Sequence, residues 1–150
     1  MPGSPLPSVR HILHAVAATV VAESASLDHR GWAELDRVIE NALAIREASV
    51  RRQFVAFLRL LQFLPIVRYG RPLTALNGLQ RTAFLESIER SPLLLVRRGF
   101  WGVRTLVFMG YYTQDDVAAA IGYQASPNGW AARGGTISTV PLAPMLWVEP

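Results

Sequence analysis

From Leu93 to Met109 the chain is apolar on almost every side of any helix it forms, interrupted only by Arg97, Arg98 and Arg104. Ser91-Pro92 just ahead of it reads as a helix start: a serine hydroxyl can accept from orphaned N–H groups, and proline at the first helical position has none to lose. A helix greasy all round must be covered all round, and a chain of 150 residues has little other material to do it. Lipid does not fit, because the uncharged runs between the arginines fall well short of the ~20 residues a membrane span needs. The stretch predicts a helix sandwiched partly by its own domain and partly by another protein.

Composition agrees with that reading. The length suits one domain with one core. A hydrophobic content of 51% with only 17% charged residues makes the chain greasier than an ordinary soluble monomer, which favours a buried partner surface. The formal charge is +4, yet every basic residue is arginine, set singly or in pairs among acids. That dispersal gives little support for nucleic-acid binding. With no cysteine, disulfides, thiolate nucleophiles and iron–sulfur ligation are excluded, and the redox compartment stays open.

Hydrophobic periodicity predicts an all-α fold: an irregular bundle of about six helices with an extended, non-helical C-terminal tail. Residues 1–8 read as a flexible proline-rich lead, 9–122 as the helical domain and 123–150 as an extended strap. The first helix runs from Val9 to about Glu23, capped by Ser8, with Ile12, Ala15, Val16, Thr19 and Val20 at helical spacing. After a break at Leu27–Gly31, a second runs from Trp32 to about Glu47. Leu35, Val38, Ile39, Ala42, Leu43 and Ile45 form its apolar side, while Glu34, Asp36, Arg37, Glu40 and Arg46 read as a solvated face. In the third, Phe54, Phe57, Leu58, Leu61 and Leu64 recur at i, i+3, i+4 and i+7, and Pro65 sets the end near Leu64. Residues 65–76 read as a loop. Asn77 with Gln80 forms a capping box for the fourth helix, whose Leu79, Ala83, Phe84 and Ile88 face the core. Within the fifth helix, Gly99 and Gly102 mark either a close backbone approach or a kink. Thr113 caps a short last helix carrying Asp115 and Asp116 in its first turn, and Gly122 ends it.

Candidate chemistry is sparse. His11 and His14 lie three apart on one helix, but no cysteine or further histidine cluster completes a metal set, so they read as ordinary surface or core histidines. Glu86 and Glu89 share one exposed face, whereas an acid/base pair needs unlike environments across a cleft. No dinucleotide fingerprint, phosphate-binding loop, zinc-protease motif or nucleophile elbow occurs. Residues 123–150 hold four prolines yet also Trp130, Ile137, Val140, Leu142, Met145, Leu146 and Trp147. A disordered tail is normally poor in such side chains, so this one reads as lying extended over a surface, preferably a partner's.

The ordered set Arg97-Arg98-Gly99-Phe100-Trp101-Gly102, Gly110-Tyr111-Tyr112-Thr113 and Ile121-Gly122-Tyr123 resembles the gluconate 2-dehydrogenase small (gamma) subunit family. Phe57–Leu61 and Leu76–Leu85 fit the same family, and the likeness runs from about Ile12 to Trp130. Members partner glucose–methanol–choline (GMC) flavoproteins, which oxidise alcohol or sugar hydroxyls. The resemblance implies a non-catalytic accessory subunit that binds no cofactor itself, FAD belonging to the large subunit. The contacts expected to meet that partner are Phe100, Trp101, Arg104, Tyr111, Tyr112, Tyr123, Trp130 and Trp147. Family members often carry a twin-arginine export signal. Residues 1–8 show none, so cytoplasm is the expected location, and the periplasm the alternative if a signal-bearing partner exports both. The rival readings are a helical nucleic-acid-binding module built on Arg51, Arg52, Arg59, Arg97, Arg98 and Arg104, a stand-alone interaction domain, and a small independent enzyme.

Overall fold

The computed structural model describes residues 6–122, and these are all-α: seven α-helices with three short 3₁₀ turns and, among the described residues, no strand. In chain order the helices are α1 (Arg10–Val20), α2 (His29–Ala44), α3 (Ala48–Phe63), α4 (Ile66–Tyr69), α5 (Gly78–Glu89), α6 (Leu94–Tyr112) and α7 (Asp115–Ala120). No helix among them is long and apolar enough to cross a membrane.

The centre of the fold is α1. Its Ile12, Leu13, Val16 and Ala17 fall on one stripe and are sealed from solvent. The other elements close round it: α3, α5 and α6 all pack on it, as do the turns at Leu6–Ser8, Ala22–Ser26 and Leu73–Ala75. Leu6, inside the segment expected to be loose, is fully buried in the turn that leads into α1. The first helix is also shorter than its periodicity suggested. It stops at Val20 and a 3₁₀ turn over Ala22–Ser26 replaces its last part.

Helix α2 starts three residues before Trp32 because the Asp28 carboxylate accepts from the Gly31 N–H at 2.7 Å, a side-chain N-cap. Leu35, Ile39 and Leu43 bury one stripe of it. Asp36 belongs to that stripe rather than to a solvated face. It is 7% exposed, bonded to His14 at 2.8 Å and to Arg10 at 2.8 Å. The spacing explains it: at 3.6 residues per turn, position 36 lies beside 35, 39 and 43. A buried carboxylate needs such partners, and these two tie α2 to α1. Ile45, expected in the core, lies well off the stripe and is 83% exposed.

Gln62 of α3 is buried, and its amide is satisfied by Thr74: Nε2 donates to the hydroxyl at 2.8 Å, and Oε1 accepts from the Thr74 N–H at 3.3 Å. Residues 65–76 therefore form more than a plain loop. Pro65, which has no N–H to lose, opens the single turn of α4, and a second short turn over Leu73–Ala75 buries Leu73. The Asn77–Gln80 capping box is formed in both directions. On α5, however, the core stripe is Phe84, Leu85 and Ile88; Leu79 and Ala83 lie on the far side of the helix, and Leu79 is 86% exposed.

Helix α6 begins at Leu94, two residues later than Ser91-Pro92 suggested, with the Ser91 hydroxyl accepting from Leu93 N–H at 3.2 Å. It runs unbroken through Gly99 and Gly102. Its tightest neighbour is α2, because Gly110 has no side chain: a Cβ there would come within 2.9 Å of Leu35 Cγ and 3.1 Å of the Leu35 carbonyl oxygen. Thr113 does not cap α7. Its hydroxyl donates back to the Met109 carbonyl, closing α6 instead, and Gln114 takes the N-cap position. Gly122 does end α7, at a φ of 73° that favours glycine.

Candidate partner interface

Helices α2 and α3 are joined by the short Ile45–Glu47 turn, where Arg51 Nη1 donates to the Arg46 carbonyl at 3.2 Å and, at 3.5 Å, to that of Ala44. The two helices scarcely touch beyond that turn, and both lean on α6. The space they leave is an open trough of about 1330 Å³. Leu43, Phe54 and Val103, all buried, reach it from the core side, and Phe57 and Leu106 add apolar wall.

The rim is what sets this surface apart. Ile45, Val50, Leu95, Trp101 and Met109 border the trough and all are exposed, Leu95 to 82% and Trp101 to 66%. A contiguous outward apolar surface of this kind marks a binding site far more often than isolated surface leucines do. The only charged groups in the lining are Arg46, Arg97 and Arg98, and none of them is within ion-pair distance of a carboxylate among the described residues. Among the described residues, no histidine, aspartate or glutamate lines the trough. Chemically it offers apolar shape, positive charge and the amides of Asn41 and Gln53.

The residues expected to meet a partner are divided by the fold. Phe100 is not among them: it is 2% exposed and, with Val103, Val107 and Gly110, forms the stripe by which α6 joins the core. Trp101 stands on the trough rim. Arg104 lies on another face, ion-paired with Glu89 of α5 and with its guanidinium 5.2 Å from the Phe108 ring. Tyr112 is on that side too, its ring 6.0 Å from Phe108 and edge-on to Tyr111 at 5.1 Å. Tyr111 packs on the core; burial first, then the negative charge of Glu23 and the neighbouring Tyr112, push its phenol pKa above the ordinary value. Tyr123, Trp130 and Trp147 lie outside the described residues.

The trough residues contributed by α2 and α3, together with Leu95 and Met109, escaped the sequence reading, whereas Gly102 was singled out for a close backbone approach or a kink. One signal was available. Along α6, residues 98, 101, 102, 105 and 109 follow helical spacing on a side distinct from the buried one, and two of those five, Arg98 and Thr105, are polar. A second outward apolar corner is formed by Phe63, Ile66 and Val67, where α3 gives way to α4.

Other candidate chemistry is structural in the described residues. His14 is held between Asp36 and the Trp32 ring, 4.2 Å away, while His11 is exposed, and no group of three or more possible metal ligands occurs among the described residues. Glu86 faces Arg90 at 3.9 Å, and Glu89 holds Arg104. Compared with known proteins, the chain matches no family model, no curated protein and no solved structure.

Proposed function

We propose that this chain is a non-catalytic small subunit that binds and stabilises a GMC-type FAD-dependent sugar or alcohol dehydrogenase or oxidase. The observation that carries the reading is the apolar trough that the described residues leave open, with Ile45, Leu95 and Trp101 turned outward on one surface. A protein that folds round α1 with that much apolar rim left over is suited to being half of an interface. The sequence resemblance supplies the partner's class. FAD and the reacting hydroxyl belong to the catalytic subunit, and this chain contributes a surface that helps it fold, retain flavin or reach an electron acceptor. Cytoplasm is the proposed location, with export alongside a signal-bearing partner as the alternative.

The nucleic-acid reading has less support. Of its six arginines, Arg51 holds the α2–α3 turn and Arg104 pairs with Glu89.

Co-expression with a GMC-type flavoprotein from the same genome tests the proposal. Alone, the chain should bind an apolar dye; together, the two should co-elute with flavin absorbance and lose the dye signal. A chain that melts sharply as a dye-free monomer, and leaves the flavoprotein's flavin content and yield unchanged, overturns it.

A further inference from the structure

Gly102 sits in the middle of α6, on the trough wall, and a Cβ there would meet nothing within 4 Å. Glycine is a poor helix former, so its place inside a long helix calls for a reason. For Gly99 and Gly110 the reason is internal: a Cβ would strike the Phe57 ring at 2.7 Å or Leu35 at 2.9 Å. Nothing in the described fold needs the bare backbone at Gly102. An occupant of the trough would, because a missing side chain lets it approach the α6 backbone closely.

The rim states the occupant's charge. Among the described residues the trough has three arginines, no carboxylate and a wall of exposed aliphatic and aromatic side chains, which suit a segment with an apolar inner face and acidic flanks. The walls are helices, so no strand edge is offered for an extended peptide to pair with; helix-in-groove docking is the mode that remains. From Leu95 to Met109 the trough follows about 21 Å of α6, at 1.5 Å per residue, close to four turns of a docked helix.

The geometry points to an amphipathic helix of the catalytic subunit as the occupant, with apolar residues at i, i+3, i+4 and i+7 and glutamates or aspartates flanking them. This rests on the reading of the chain as a subunit and names the part of the partner it holds. Two other occupants fit less well. Residues 123–150 carry one carboxylate, Glu149, against Arg133, and their longest proline-free stretch holds Gly134-Gly135 and ends at Pro141, which disfavours a helix of four turns. A second copy docked face to face would set Arg46, Arg97 and Arg98 against the same three arginines.

Two labelled 18-residue helical peptides test the inference on the full chain, with the same leucine face and either glutamate or lysine flanks. The glutamate peptide should bind at least tenfold more tightly at low salt, with the gap closing toward molar salt. Arg97→Glu with Arg98→Glu should reverse the preference. Gly102→Trp should abolish binding without lowering the melting temperature, and Leu95→Asp, at a fully outward position, should weaken the glutamate peptide at least tenfold even if Gly102→Trp misfolds. A benzophenone side chain at position 101 should cross-link to the glutamate peptide. Equal binding of both peptides, no binding of either, binding untouched by the groove substitutions, or cross-links from 101 into residues 123–150 or a second copy would overturn it. Failure here with flavin co-elution intact would place the catalytic subunit on another surface. Charge-selective binding here without co-elution would keep the trough and remove the flavoprotein.

Discussion

Helix α1 and helix α6 divide the work of the molecule in a way their compositions do not announce. α1 opens with an arginine and two histidines within five residues, yet it is the hub, and its apolar stripe is closed off by almost every other element. α6 is longer and apolar nearly all round, yet although α1, α2, α3, α5 and α7 all pack on it, it buries one stripe, leaving Leu94, Leu95, Trp101, Met109 and Tyr112 outward. Apolar content says how much surface wants cover. Position in the bundle decides which surface gets it. The centre goes to the helix that many partners can reach at once, and surplus collects on the wall that α2 and α3 leave open.

Mutation can break that contrast. The largest effect is expected at the hub, where Leu13→Ala removes a sealed side chain and should lower unfolding free energy by about 3 kcal/mol in a denaturant titration. Trp101→Ala, a larger truncation on the open wall, should change it by less than about 0.5 kcal/mol. Equal losses would show that the trough is closed in the working fold. Next come two glycines of the same helix with opposite signs. Gly110→Ala drives a methyl into Leu35 and should cost about 1–2 kcal/mol, whereas Gly102→Ala fills open space and should gain up to about 1 kcal/mol. Losses at both would mean that something already occupies the trough.

The smallest effect sharpens the boundary between the two regions. Tyr111 has a phenol pKa raised above the ordinary 10.0, chiefly by burial. The unfolded chain therefore ionises first, the folded state holds the extra proton, and stability falls as pH rises from that value through the folded pKa. Tyr111→Phe should flatten the alkaline limb of a pH–stability curve. An unchanged limb in Tyr111→Phe would mean that the phenol is wet.

Much of this was legible in the chain. The stripe of Phe54, Leu58 and Leu61 and the Asn77–Gln80 capping box are local, and local rules find them. Asp36 was misjudged because charge was weighed before spacing: its place beside Leu35 and Ile39 was visible, whereas its partners Arg10 and His14 lie on another helix. Leu79 fails for the opposite reason, an apolar residue on the wrong side of a helix whose stripe is set by where α6 packs. Phe100 was bound to be confused with its neighbour Trp101, since adjacent residues on an all-apolar helix differ only in the direction they point. The trough could not be read at all. It takes side chains from three helices, and only their mutual angles bring Ile45, Val50 and Leu95 to one rim.

Those angles rest on a slender fastening. Two walls of the trough meet at a three-residue elbow, where the Arg51 guanidinium reaches back to the Ala44 and Arg46 carbonyls and the Ser49 hydroxyl donates to the Glu47 carboxylate. Shape there leans on polar contacts at a joint, since the two arms come close at few other points. Losing the Arg51 guanidinium should therefore alter the width of the bite before it alters the centre.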